Sequence, residues 1–467
     1  MPVISSVSGI RGTIGGLEGD NLSPPDIVKF TTAYAYWLKE QFENKTRVEI
    51  VLGRDARISG SFLSQIVCGT LNACGVHVIN LGLSTTPTVE LAVRYYKASG
   101  GIILTASHNP IEWNALKLLN SKGEFLSVEA GRRILELKSL DSFSYSDVFS
   151  LGFTREEGSF IQEHVDLILA HPLVDSEAIR SAGFSIAIDA VNSTGGIAVP
   201  MLLDALGVKG YMNAYGEPTG KFPHPPEPLP ENLTDFFSMV KENGCDLGIV
   251  VDPDVDRLAF VCEDGSFFGE EYTLAAVADY VLQCTPGPVV SNMSSSAVLE
   301  DVALKYGQKR FVSPVGEVHV VSEMRACGAV IGGEGNGGII VPDLHYGRDA
   351  LIGIALFLTH LAKWGGKMSD LRKTYPNYTM HKLKVDLAVG TDTEAVLRGV
   401  RGYYATYEID LRDGVWIKQP GGWLHLRRSN TEPIIRIYSE NRDSEVSYSE
   451  AMKAKGYILE EIKKMNG

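Results

Sequence analysis

Cysteine is scarce in this chain: Cys68, Cys74, Cys245, Cys262, Cys284 and Cys327 are six residues among 467. None forms a CxxC pair and no His cluster stands at zinc-finger spacing, which argues against a disulfide scaffold and a thiolate zinc module. They read as reduced thiols. Basic residues are also in deficit, 43 Lys and Arg against 57 Asp and Glu, for a formal charge of −14. That balance disfavours nonspecific attraction to nucleic acid or anionic membranes, so an anionic ligand must meet a local basic site. Long hydrophobic runs are missing as well. The most apolar late stretch, Ala350–Ala362, contains Thr359 and His360 and is shorter than the ~20 residues that span a bilayer. Met1–Gly12 has neither the charged start nor the apolar core of a signal peptide, so a cytoplasmic protein is expected. Exact repeats and low-complexity tracts are absent.

What is present reads as several folded domains. A chain of 467 residues exceeds a single ordinary core, and 44% hydrophobic with 21% charged residues is the balance of a globular protein. Short apolar runs at Val48–Leu52, Gly101–Thr105, Ser185–Ile188 and Leu247–Val251 alternate with amphipathic stretches, the pattern of α/β layers. Ser23 before Pro24 and Pro25 marks a helix start, after which Ile27, Phe30, Tyr34 and Leu38 recur on one face. Phe222–Pro230 holds five prolines in nine residues and must be an extended connection. Toward the end, Leu383–Leu387 and Gly414–Arg427 read as strands and Ser447–Lys464 as a helix. Strands grouped in this way point to a smaller α+β domain from about residue 371.

Three stretches carry chemistry. Thr105-Ala106-Ser107-His108-Asn109-Pro110 follows an apolar run and places a hydroxyl nucleophile on a strand-ending turn. Alone it is equally an ordinary polar turn before a helix. Lys117, ten residues on, would serve in proton transfer if cationic surroundings lowered its pKa. Asp252-Pro253-Asp254-Val255-Asp256-Arg257 sets three carboxylates at alternate positions between two apolar runs, an oxygen-only set suited to magnesium or calcium rather than zinc. An EF-hand is disfavoured because its sixth position is Arg257 rather than glycine and its flanks read as strands. Arg427-Arg428-Ser429-Asn430-Thr431-Glu432-Pro433, with Arg436 beyond, supplies the guanidinium forks and hydroxyls that a phosphate dianion requires. Weaker signals are Gly332-Gly333-Glu334-Gly335-Asn336-Gly337-Gly338, where Glu334 can accept from sugar hydroxyls, and Ser8-Gly9-Ile10-Arg11-Gly12.

Taken together, in this order and along nearly the whole chain, these stretches resemble the α-D-phosphohexomutases. The stretch at 105–110 is similar to that family's phosphoserine loop, 252–257 to its metal loop, 332–338 to its sugar loop and 427–433 to its phosphate loop. SGIRG at 8–12, GRDARISG at 53–60 and FPHPPEPLPENL at 222–233 add to the match. The resemblance implies an α/β fold of four domains around a central cleft: three similar α/β domains with mixed sheets and a smaller C-terminal α+β domain. The expected divisions are 1–150, 151–251, 252–370 and 371–467. It implies that Ser107 carries a phosphoryl group and, with Asp252, Asp254 and Asp256, holds one magnesium ion per active site. Arg11, His108, Lys117 and Arg257 would surround the transferring group. Gly316, Glu334 and Asn336 would meet the sugar, and Arg427, Ser429, Asn430, Thr431 and Arg436 the second phosphate.

The implied activity is interconversion of hexose 6-phosphate and hexose 1-phosphate through a bound bisphosphate, with hexose bisphosphate as activator. A clamp that accepts either phosphate favours a mobile last domain. The compact layout resembles bacterial-type members acting on glucosamine phosphate, with glucose or mannose phosphate as the alternative. Family sugar loops commonly read GE-x-S-G-H, whereas Asn336 and Gly338 stand at the serine and histidine positions here, and His345 is a candidate for the lost ring. From other classes, a catalytically silent sugar-phosphate sensor lacks reason to keep Ser107, Lys117 and three loop aspartates, and a metal-dependent phosphatase lacks a dedicated base for water. A monomer or homodimer without nucleic-acid or membrane partners is expected.

Overall fold

The computed structural model describes residues 4–6, 9–42, 47–158, 160–388, 390–429 and 433–466. They form two compact units, one of Met1–Thr273 with Gly337–Leu371 and one of Leu274–Asn336 with Arg372–Gly467.

In the first unit a seven-stranded mixed sheet runs, in spatial order, through Ile4–Ser6, Gly9–Thr13, Trp113–Leu119, Gly100–Leu104, Glu49–Arg54, His77–Leu83 and Thr154–Glu156. Gly100–Leu104 is buried at every residue, as a central strand covered on both faces must be. Helix Pro24–Gln41 packs Ile27, Phe30, Tyr34 and Leu38 into this core. Its start is set by Pro24 and Pro25 and by the Asp26 carboxylate, which accepts from the Ser23 amide and hydroxyl. The segment after Pro110 continues as strand Trp113–Leu119, so the 105–110 turn joins two strands rather than preceding a helix.

A second sheet orders Leu258–Cys262, Leu247–Val251, Ser185–Asp189 and Gly210–Asn213. Its first two strands pair antiparallel in full register from Leu247↔Cys262 to Val251↔Leu258. The three-aspartate stretch is therefore the closing loop of one hairpin, and the division expected between 251 and 252 falls inside that hairpin. Phe222–Pro230 is irregular, as its prolines require, and leads into a single 3₁₀ turn at Pro230–Asn232. Helix Ala350–Trp364 is buried from Ala350 to Leu361, capped by the Asp349 carboxylate at its start and by Gly365 at its end. Among the described residues no helix is long and apolar enough to cross a membrane.

In the second unit, strands Val289–Asn292, Arg310–Ser313 and Ile331–Glu334 run parallel. The C-terminal part is an antiparallel sheet ordered Thr379–Asp386, Ile434–Asn441, Gly422–Arg428, Val415–Gln419 and Ile409–Asp410. Helices Thr393–Tyr403 and Ser444–Asn466 cover one face, packing Val396, Val400, Ala454 and Ile458 against Leu424, Leu426, Ile435 and Ile437. The stretch read as strand over Gly414–Arg427 is two paired strands, because Pro420 lacks a ladder donor and Gly421, at φ 77°, turns the chain. All six cysteines are free thiols.

Candidate active site

Strand Gly100–Leu104 delivers Ser107 to a tight turn in which its own backbone is left-handed, φ 48°. That conformation is unfavourable for a non-glycine residue and needs external support. The Ser107 amide donates to Thr105 Oγ1 at 2.9 Å, and its carbonyl accepts from Arg57 Nη2 at 2.5 Å. Arg57 is itself fully buried. Its Nε donates to Asp55, Nη1 to the carbonyls of Pro110 and Trp113, and Nη2 also to that of Asn109, so all five N–H groups of the fork are engaged.

The hairpin loop faces this turn. Ser107 Oγ donates to Asp252 Oδ2 at 2.6 Å, while Asp252 Oδ1 accepts from the amides of Asp256 and Arg257. Asp254 Oδ2 accepts from Lys117 Nζ at 2.7 Å and from Thr86 Oγ1, and Asp256 Oδ2 from Arg348 Nη2 at 2.7 Å and Lys117 at 3.3 Å. Ligand oxygens of the three carboxylates lie within 4.8 Å of one another, and all three side chains are buried. Among the described residues, Asp254 Oδ1 and Asp256 Oδ1 have no hydrogen-bond partner. Burying unpartnered carboxylate oxygens beside one another is costly, so this arrangement fits a hard divalent cation. The loop's β-branched Val255 is also held left-handed, at φ 61°.

The electrostatics follow from this crowding. Burial and repulsion from Asp254 and Asp256 push the Asp252 carboxyl well above the usual range. Asp256 is held below it, because Arg348, Lys117 and Arg257 outweigh the cost of burial. Burial alone would lower Lys117, but Asp254 and Asp256 raise it above its ordinary value. The cationic environment expected to lower the Lys117 pKa is thus corrected: its neighbours are anionic, and it stands as a fixed positive charge. His108 Nδ1 lies 3.4 Å from Ser107 Oγ, and burial together with Arg257 holds the ring well below its ordinary pKa, hence neutral. Arg257 Nη1 donates to Glu227 at 2.9 Å. Arg11 lies on Gly9–Thr13, whose register sets Gly9 opposite Lys117 and Arg11 opposite Ala115, so Arg11 and Lys117 share a sheet face.

The second unit gathers the other predicted residues. Glu334 ends its strand and accepts from Asn292 Nδ2 at 2.9 Å and from the Gly316 amide at 3.1 Å. Asn336 is half-buried in the turn that follows. Arg427 Nε donates to Asp413 Oδ2, which also accepts the Val315 amide, both at 3.0 Å. Arg436 stands directly opposite Arg427 on one side and Lys384 on the other, which lines three cations across neighbouring strands on one face. Like charges so placed repel unless an anion joins them. Ser429 is buried, its amide on the Ile434 carbonyl. Asn430 and Thr431 lie outside the described residues, as does Ser8.

Sequence reading alone missed Arg57, Thr86, Glu227, Arg348, Lys384 and Asp413. Arg57 and Glu227 fall inside the stretches 53–60 and 222–233, but Ser107, Pro110 and Trp113 on the one side and Arg257 on the other are distant in the chain. His345 is buried at 3% exposure between Glu90 and Asp349, so it does not replace the missing ring of the sugar loop.

The chain matches the family models for phosphoglucomutase/phosphomannomutase α/β/α domains I, II and III, at residues 4–142, 162–265 and 269–378. It is 35% identical to a phosphoglucomutase/phosphomannomutase of Thermococcus kodakarensis, over 93% of this chain and 95% of that one. It is 30% identical to a phosphoglucosamine/phosphogalactosamine mutase of Sulfurisphaera tokodaii, over 96% of this chain and 97% of the relative. Its fold is shared with the crystal structure of a phosphoglucomutase/phosphomannomutase family protein from Burkholderia thailandensis, at TM-score 0.84 and 23% identity, covering 98% of this chain and 97% of the other.

Proposed function

This chain belongs to the α-D-phosphohexomutase family and is a phosphohexomutase, and from that premise we propose that Ser107 is the residue that carries the phosphoryl group. The observation that carries the reading is the convergence of Ser107 Oγ, the Asp252, Asp254 and Asp256 carboxylates and the cations Lys117 and Arg348.

Magnesium suits the oxygen-only donors of Asp252, Asp254, Asp256 and the phosphorylated Ser107, and when bound it neutralises charge on the phosphoryl oxygens. Lys117, Arg348 and Arg257 spread further positive charge around the group in transfer, with Arg11 on the sheet face beside Lys117. The neutral ring of His108, 3.4 Å from Ser107 Oγ, takes the proton of the attacking sugar hydroxyl as the sugar O–P bond forms and passes it to Ser107 Oγ as the Ser107 O–P bond breaks. The resulting bisphosphate turns over and returns its other phosphoryl group to Ser107 Oγ. Added hexose bisphosphate activates by phosphorylating Ser107 where it is free. Glu334, Gly316 and Asn336 orient the sugar hydroxyls, and Arg427, Arg436, Ser429, Asn430 and Thr431 hold the phosphate that is not transferred.

Glucosamine phosphate is the proposed substrate, supported by the relative named for glucosamine and galactosamine; glucose and mannose phosphates are the alternative, supported by the relative named for them. A cytoplasmic monomer or homodimer, divided near residues 150 and 370, completes the reading. The test follows the 1- and 6-phosphates of glucosamine, glucose and mannose with magnesium and a trace of hexose bisphosphate, beside Ser107→Ala. Interconversion fastest with glucosamine phosphate and lost in the variant is expected. Persistence in the variant would overturn the role of Ser107, and faster turnover of another sugar would overturn the substrate choice.

A further inference from the structure

His345 sits in a fully enclosed cluster of charged side chains that the phosphoryl site does not use directly. Its Nδ1 lies 3.2 Å from Glu90 and its Nε2 3.2 Å from Asp349, with the two carboxylates 1% and 0% exposed. Asp349 also meets His164 Nε2 at 2.9 Å, and His164 Nδ1 meets Thr88 Oγ1 at 2.9 Å. The cluster joins three separate stretches: helix Thr86–Tyr95, helix Ile161–Leu169 and the segment Leu344–Asp349.

Both ends of that arrangement reach the metal loop. Thr86, at the start of the first helix, donates through its hydroxyl and its amide to Asp254. The Ala350 amide, next to Asp349, donates to the Val255 carbonyl, and Arg348 Nη2 donates to Asp256 at 2.7 Å. Arg94, on the same helix as Glu90, holds the Leu344 carbonyl at 2.7 Å. The segment and helix pack so closely that a Cβ on Gly347 would collide with the Glu90 carboxylate.

We propose that His345, clamped between Glu90 and Asp349, is a positioning residue for phosphoryl transfer that fixes Leu344–Asp349 so that Arg348 stays on Asp256. This rests on the phosphohexomutase reading and on Arg348 facing the transferring group. Burial would discharge the ring, but Asp349 and Glu90 raise its pKa to about 9, so it stands as an imidazolium between two buried carboxylates. The bond to Asp256 is what fixes the Arg348 side chain, and holding the backbone on both sides of it keeps that bond within reach before substrate arrives.

The test is a double-mutant cycle of Glu90→Gln, which keeps shape and removes charge, with Arg348→Ala. Glu90→Gln alone should lower kcat about tenfold with KM changed less than about twofold. With Arg348 already Ala, it should change kcat less than about twofold. Amide hydrogen exchange should rise in Leu344–Asp349 of Glu90→Gln. Should that variant fail to fold, Glu90→Asp, which retracts the carboxylate but keeps its charge, is expected to show the same split and coupling. Losses that multiply, or full kcat in the Glu90 variant beside an impaired Arg348→Ala, would overturn the clamp alone. Wild-type kcat in Arg348→Ala would overturn the role of Arg348 and the clamp with it. No interconversion by the unaltered protein would instead overturn the phosphohexomutase reading.

Discussion

The main-chain oxygen of Ser107 accepts from Arg57 Nη2, one of five engaged N–H groups on a guanidinium with no solvent exposure. The arginine thereby ties the left-handed serine turn to Asp55 and to the start of the following strand. Removing it leaves a buried carboxylate without its partner, which costs about 3–5 kcal/mol in such pairs. Arg57→Met is therefore expected to lower unfolding stability by about that much and kcat by at least about tenfold, because the serine loses its fixed orientation. Urea unfolding and steady-state kinetics check both. A stable, fully active Arg57→Met would contradict this account of the turn.

The unpartnered oxygens of Asp254 and Asp256 predict that magnesium stabilises the folded chain. At a free concentration of about 100 Kd the gain is about 2.7 kcal/mol. Asp252→Asn removes one of three mutually repelling carboxylates, so its metal-free melting temperature should equal or exceed that of the unaltered chain, while its rise on adding magnesium is lost. Thermal melts with magnesium or chelator decide it, and an unchanged rise in Asp252→Asn would count against the site.

The Glu90–His345–Asp349 cluster makes stability depend on pH in a definite direction. The ring's folded pKa is raised from 6.5 to about 9, so its contribution is fully present below about pH 6.5 and is lost as pH rises through about 9. Unfolding free energy should fall over this window, and His345→Asn should flatten the fall. A slope equal to that of the unaltered chain would show that the ring does not titrate there.

The row of Lys384, Arg436 and Arg427 across adjacent strands predicts graded losses of substrate affinity. Arg436→Ala should raise KM about tenfold, the scale of one charged hydrogen bond. Lys384, on the exposed edge of the row, should contribute only about threefold, and its effect should shrink with added salt. Kinetics at two ionic strengths measure both; equal, salt-independent effects would argue against a shared anion.

The chemical loops were legible because each is a contiguous run behind an apolar strand, and a hard-cation triad or an arginine-rich turn announces its chemistry by residue type. Helix Pro24–Gln41 was legible through its prolines and its 27/30/34/38 stripe. Contacts that depend on how distant strands are ordered were not. Arg348 reaches Asp256 across 92 positions. The cation row exists only because Lys384 and Arg427 flank Arg436 in the final sheet. The surroundings of Lys117 were misjudged for the same reason: Asp254 and Asp256 are brought to it by the hairpin, not by local sequence. His345 suggested a substitute ring by chain proximity, whereas packing against Glu90 and Asp349 turns it inward.

The most direct test is single-turnover transfer from Ser107. The protein is phosphorylated with labelled hexose 1,6-bisphosphate, the labelled residue is located by peptide mass spectrometry, and unlabelled hexose 6-phosphate is then added with magnesium. The account predicts label on Ser107 alone and its passage to the sugar at a rate no slower than kcat. Label on another residue, or interconversion by Ser107→Ala at the unaltered rate, would contradict it.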